Sequence, residues 1–287
     1  MRRIDLHTHS TCSDGSYTVH ELIDYAHEKG LAAVALTDHD TIDGDDDAVG
    51  YGRVKYPDME VIPGIEFSTV NEGKDIHVVG LYINTKDQAF KDKLETFKNA
   101  RVERNIKMCN KLTEGGLPMT YEELTEAFPN TAITRAHYAK FMLEKGYIKT
   151  RQEAFDKYIG DNCPYFVPRE NITPEMAIEL ILQNGGVPIL AHPVLYHMSD
   201  AKLETLVVRL KKAGLKGLEA IYTTYEAYEE RQMKELAARQ GLLISGGSDF
   251  HGVNKVNIDL AVGYGNLFVP EDLLPPIKEA AGRRLND

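Results

Sequence analysis

The stretch Asp5-Leu6-His7-Thr8-His9, followed by Ser13-Asp14-Gly15, constrains this chain more than any other. In an extended segment, side chains two apart point the same way, so His7 and His9 leave a strand on one face with Asp5 behind them. Two imidazoles aimed at one point, with a carboxylate a few residues on, make half of a metal site. A lone His-x-His carries little weight, because a packed histidine explains it as well. The chain supplies partners in four further places. Thr37-Asp38-His39-Asp40 follows the apolar run Leu31 to Leu36, and Pro63-Gly64-Ile65-Glu66 closes the strand-like Val61-Ile62, after which His77 opens a segment from Ile76 to Ile83. Ala191-His192-Pro193 ends Val187 to Leu190, and Ser248-Asp249-Phe250-His251 ends Leu242 to Ser245. A satisfied polar group at a strand end accounts for any one of these. It does not account for the set, because residues of ligand type recur at the mouths of successive strands, where barrel enzymes place their sites. His77 is the exception, standing at the start of its segment.

Composition narrows the setting. A chain of 287 residues buries a full core in one large domain, with room for a smaller insertion. No apolar run approaches the roughly 20 residues that span a bilayer. Met1-Arg2-Arg3 leads straight into the first strand, which predicts no signal peptide. Cys12, Cys109 and Cys163 are widely spaced without a C-x-x-C, which predicts a reducing, cytoplasmic location. The net charge of −11 argues against charge-driven binding to duplex DNA. It leaves open a small anion or a strand end held locally. With Asp14, Glu66 and Asp249 as ligands to three divalent ions, a filled site is about +3 and attracts phosphate despite the acidic surface.

Strand-like and helix-like patterns alternate through the first third of the chain, which predicts a parallel sheet or barrel with helices outside. The rhythm breaks after about Asp87. Residues 100–165 read as a small helical insertion domain between a first barrel part, 1–99, and a second, 166–287. Within the insertion, Thr134 is a candidate N-cap. The helix start carrying Arg135 and His137 is suited to holding a phosphate, with a solvated arginine and a surface histidine as the plain alternative.

Together these motifs resemble the PHP (polymerase and histidinol phosphatase) superfamily over the whole chain. Asp14-Gly15, Thr134-Arg135-x-His137 and Tyr165-Phe166-Val167-Pro168-Arg169 are similar to its TrpH/RNase AM-like branch of nucleoside 3′,5′-bisphosphate phosphatases. The resemblance implies an α/β fold, a distorted (β/α)7 TIM-like barrel with metals at the C-terminal mouth. It implies that His7, His9, Glu66 and Asp249 hold one ion. Glu66 then bridges to a second held by His77 and His192, while Asp14, His39 and His251 hold a third, the ions being manganese, iron or zinc. Asp38, Asp40 and, more weakly, Asp5 are expected to orient imidazoles.

A cluster rich in histidine and bridged by carboxylate suits in-line displacement at phosphorus. The expectation is therefore a metal-dependent phosphoesterase hydrolysing a small nucleotide by a metal-bound hydroxide. It would act as a 3′,5′-bisphosphonucleotide phosphatase or trim short RNA from 5′ to 3′. Glu66, Asp249, His251 and Arg135 carry the catalysis, and Arg135, Arg169, His137, Tyr196 and His197 contact substrate. Histidinol-phosphate-type phosphatase and metal-dependent amidohydrolase are the alternatives. Oligomeric state is left open.

Overall fold

The computed structural model describes residues 2–129, 133–160, 163–167 and 172–282. Seven strands form one sheet in chain order: β1 (Ile4–Thr8), β2 (Ala33–Leu36), β3 (Glu60–Asn71), β4 (Lys74–Leu81), β5 (Val187–Leu190), β6 (Gly217–Tyr222) and β7 (Leu243–Gly247). The sheet curls nearly closed. His9 N donates to Phe250 O at 2.9 Å and Asp249 N donates to His7 O at 2.9 Å, which joins the end of β1 to the end of β7. The chain's first and last strands thus meet at the mouth.

The helices are α1 (Val19–Glu28), α2 (Asp45–Lys55), α3 (Gln88–Glu114), α4 (Tyr121–Ala127), α5 (Arg135–Glu144), α6 (Arg151–Ala154), α7 (Pro174–Gln183), α8 (Asp200–Lys212), α9 (Ala227–Gln240) and α10 (Leu274–Ala280). Thr18 opens α1 through a capping box with Glu21, the carboxylate accepting from Thr18 N at 2.8 Å. Strands β1, β2, β5 and β6 are buried throughout, as short strands covered on both faces must be. Alternation sorts their side chains. Val34 and Leu36 pack under α1, while Ala33 and Ala35 join Ile62, Ile189 and Ile221 in a separate cluster. Among the described residues no helix is long and apolar enough to cross a membrane, and all three cysteines are free.

Two departures from the sequence reading matter for the site. The sheet is not wholly parallel, because β4 runs antiparallel to both β3 and β5. The cause is a two-residue turn, Glu72-Gly73, with φ of 51° and 79°, the handedness that a tight hairpin requires. His77 therefore lies within β4 opposite Ser68, not at a strand's start. Because Glu66 pairs with Val79, Glu66 and His77 share one face of the hairpin.

The second departure concerns α3. It begins at Gln88, ahead of the expected start of the insertion, and serves two interiors. Phe90 and Leu94 belong to the large core beneath the sheet. Met108, Cys109 and Leu112 belong to a separate cluster with Leu124, Tyr138, Phe141, Met142 and Ile159 from α4, α5 and the turn after α6. The middle of α3, carrying Arg101 and Arg104, passes the barrel mouth.

Candidate metal centre

Glu66 sits at the centre of the mouth, its two oxygens facing different imidazoles. Oε2 lies 3.1 Å from His7 Nε2, 3.3 Å from His9 Nε2 and 3.2 Å from His39 Nδ1. Oε1 lies 2.9 Å from His77 Nδ1 and 3.1 Å from His192 Nε2. Asp249 Oδ1 stands 3.3 Å from His9 Nε2, and Asp14 Oδ1 stands 3.1 Å from His251 Nε2. All nine residues that the sequence pointed to as ligands therefore converge.

Their atoms fall into three overlapping groups, in each of which the donors lie within 4.8 Å of one another: His7, His9, Glu66 and Asp249; His9, Asp14, His39 and His251; and His39, Glu66 and His77. The division differs from the sequence expectation in two respects. His9 and His39 are each shared by two groups, and His192 approaches Glu66 without joining the third.

The cluster fits cations on its own chemistry. His7 Nε2 and His9 Nε2 are buried with no hydrogen-bond partner, although a Glu66 oxygen stands close to each. Both nitrogens lie within 4.8 Å of the Glu66 and Asp249 carboxylates, in a group of ligand type. Burial pushes the three carboxyls up, but the neighbouring charges outweigh it. His7, His39 and His77 hold Glu66 well below the usual range, His251 and His39 do so for Asp14, and Lys255 and His251 for Asp249. Burial lowers His39 to about 3. Against burial, Asp249 and Glu66 raise His9 to about 9, and Glu66 and Glu219 raise His7 well above its ordinary value.

The residue that aims His7 is Glu219, which the motifs did not reveal. Its Oε1 lies 3.0 Å from His7 Nδ1 and its Oε2 accepts from His192 N at 2.7 Å. Its Oε1 accepts the hydrogen bond from His7 Nδ1–H, which leaves Nε2 facing the cluster. The signal was present in sequence, for a glutamate interrupts the apolar strand Leu218-Glu219-Ala220-Ile221.

The acids expected to orient imidazoles do other work. Asp5, fully buried, accepts from Ser248 N and Oγ and from Ala261 N, tying β1 to the loop after β7. Asp38 binds Ser10 and Ser13 and so holds the first loop shut. Asp40 accepts from Ser68 N at 3.0 Å and pairs with Arg101.

Beside the cluster lies a cavity of about 210 Å³ lined by Asp14, His39, His77, Arg101, Arg104 and Arg135 among others. Arg135 pairs with Asp75, and its guanidinium lies 5.4 Å from the centre of the Phe166 ring. Arg104 approaches the same ring at 5.9 Å and donates to Val167 O at 2.8 Å. Arg101 and Arg104 were missed because, on a long helix of low amphipathicity, they read as surface charges; both are buried.

The remaining substrate-contact expectations divide. His137 is buried, its Nδ1 accepts from Thr134 N at 3.0 Å, and its ring packs on Phe128. It caps α5 and faces a different cavity. Tyr196 is corrected: its hydroxyl is buried and donates to Ala191 O at 2.5 Å, so it braces the end of β5. His197 is corrected as well, being exposed on a separate cavity with Lys202 and Arg209. Arg169 lies outside the described residues.

Comparison with known proteins fits this geometry. Residues 5–166 match the PHP domain. A 5′-3′ exoribonuclease of Haemophilus influenzae is 36% identical over 87% of this chain and 90% of its own. The chain belongs to the PHP family. Another relative, a 3′,5′-nucleoside bisphosphate phosphatase of Chromobacterium violaceum, is 31% identical over 99% of this chain and 97% of its own.

Two solved structures superpose on this PHP chain nearly end to end. One, from Chromobacterium violaceum, is named an amidohydrolase with bound sulfate and no metal (TM-score 0.84, 28% identity, 97% and 96% of the two chains). The other, from Bifidobacterium adolescentis, is a candidate metal-dependent phosphoesterase (TM-score 0.82, 26% identity, 96% of each chain). The PHP chain is a metal-dependent phosphoesterase, a hydrolase of phosphate esters.

Proposed function

We propose that this PHP enzyme removes the 3′-phosphate of nucleoside 3′,5′-bisphosphates and trims short RNA from its 5′ end, using two or three ions of manganese, iron or zinc. The observation that carries this reading is the three-arginine cavity opening directly onto the cluster around Glu66. A nucleotide with two phosphates needs two anion sites a short distance apart, and the mouth offers both. The names of the two relatives support the same substrates.

His7, His9, Glu66 and Asp249 would hold one ion, and Glu66 with His77, His39 and His192 would flank a second. Asp14, His39 and His251 would hold a third. When bound, such ions lower the pKa of water and neutralise charge developing on phosphate oxygens. The protein's share is positioning. Glu219 keeps the His7 Nδ1 proton away from the reacting side, and His251 Nδ1 donates to Asp249 O at 2.8 Å, leaving its Nε2 toward Asp14. Tyr222 Oη donates to Asp249 Oδ2 at 2.6 Å and fixes that carboxylate's rotation. Arg135, Arg101 and Arg104 would receive the second phosphate, their planar forks matching its oxygens, with Phe166 stacking behind two of them.

The test is a phosphate-release screen with manganese over nucleoside 3′,5′-bisphosphates, short 5′-phosphorylated RNA, histidinol phosphate and N-acyl substrates. Turnover of the first two ahead of the others is expected. Preferential turnover of histidinol phosphate or of an N-acyl bond would replace the nucleotide reading.

A further inference from the structure

A second cavity, about 280 Å³, opens on the other side of Asp14 from the arginine cavity. Asp14 and Ala136 line both, so the two spaces meet across the Asp14 carboxylate and the first turn of α5. The first two turns of α5 give Arg135 to the arginine cavity and His137 and Lys140 to the second. Arg151, from the start of α6, lines the second cavity as well. Its guanidinium approaches Asn254 O at 3.4 Å, and Asn254 Nδ2 donates to Asp14 O at 2.9 Å. One hydrogen-bonded wall therefore runs from α6 to the metal cluster. Phe128 forms the facing wall, with Lys140 over its ring at 5.2 Å and His137 packed against it at 4.7 Å. The acid on this lining is Asp14, which belongs to the cluster, while Lys140 and Arg151 are cationic in a chain with a net charge of −11.

We propose that this cavity holds the sugar-phosphate backbone downstream of the scissile phosphate, on the side that keeps the phosphate when the P–O3′ bond breaks and the 5′ nucleotide leaves with its 3′-hydroxyl, with Lys140 and Arg151 as its phosphate contacts, and that it makes the enzyme select oligoribonucleotides. The inference rests on the nucleotide reading above and adds direction to it. A mononucleotide bisphosphate occupies the cluster and one flanking cavity. A phosphodiester inside a strand has a nucleotide on each side of the reacting phosphorus and needs two. Cationic groups beside an aromatic wall are how single strands are held without sequence preference.

The experiment compares wild type, Lys140→Glu, Arg151→Glu and Lys140→Arg on adenosine 3′,5′-bisphosphate and on a short 5′-phosphorylated oligoribonucleotide, with manganese, across a salt series. Each charge reversal is expected to lower kcat/KM on the oligoribonucleotide by about tenfold, mainly through KM. It should also reduce the magnitude of the salt slope by about 0.7. Turnover of the bisphosphate stays at the wild-type level, which also verifies the fold. Lys140→Arg retains both activities. The inference is overturned if wild type turns over the bisphosphate alone, or if the reversals affect the two substrates equally or not at all; the nucleotide reading survives either result. Wild type inactive on both substrates removes the nucleotide reading, and this inference with it.

Discussion

Glu219 shows what one buried side chain decides. It sits in β6 with 2% of its surface exposed and holds His7 Nδ1 and His192 N on its two oxygens. Exchanging it for Gln keeps the volume but sets an amide donor where two N–H groups donate. The expected outcome for Glu219→Gln is manganese affinity about 10- to 100-fold weaker with the fold retained. Half-saturating manganese in the phosphate-release assay measures it, and an unchanged value would reduce Glu219 to a strand-packing role. Arg135 belongs to the same scale. Arg135→Ala should raise KM and lower kcat while metal content, read by elemental analysis, stays at the wild-type level. Full kinetics in that variant would take the insertion out of the anion site. Both residues illustrate what sequence could show. His7, His9 and Asp249 announce themselves by spacing at strand ends. Glu219 is found only once a strand is known to pass beneath His7, and Arg101 only once α3 is known to cross the mouth.

At the scale of elements, the barrel's order was legible and its one reversal was not. Short apolar segments alternating with helix-like patterns led to the right strands, and Thr134 marked a helix start. The β3–β4 hairpin was missed because Glu72-Gly73 is a weaker turn signal than Asn-Gly, while His77 drew the reading toward a new strand. The antiparallel turn brings His77 beside Glu66, so the departure from parallel order builds part of the site. The helical elements make a second case. Leu112, fully buried, joins α3 to the cluster containing Tyr138 and Phe141 of α5, the helix whose first turn presents Arg135 and His137. Leu112→Ala should cost that cluster about 2–5 kcal/mol. Hydrogen exchange should accelerate at the α5 amides while β1 and β2 keep their protection, and KM should rise because the arginine cavity loses one wall. Uniform loss of protection across β1, β2 and α5 would show instead that the helices and barrel unfold as one unit.

For the whole molecule, the converging residues run from His7 to His251, so any ion they bind ties the first strand to the last. Manganese binding only the folded chain adds stability of about 2.7 kcal/mol at a hundredfold excess over its Kd. The pH dependence follows from the imidazoles. His9 is raised to about 9 and His7 well above its ordinary value because Asp249, Glu66 and Glu219 outweigh burial. In metal-free protein these raised values contribute stability that is complete below the unfolded histidine pKa of about 6.5 and is lost as pH rises toward 9. An ion needs the neutral imidazoles and must displace those protons, so its binding strengthens over the same window. The two effects act together. The melting temperature in chelator should fall between pH 6.5 and 9, and the gap between manganese-loaded and chelated protein should widen. A gap that stays constant or narrows with rising pH would mean that the ion does not compete with protons on His7 and His9, and that these two imidazoles do not ligate it.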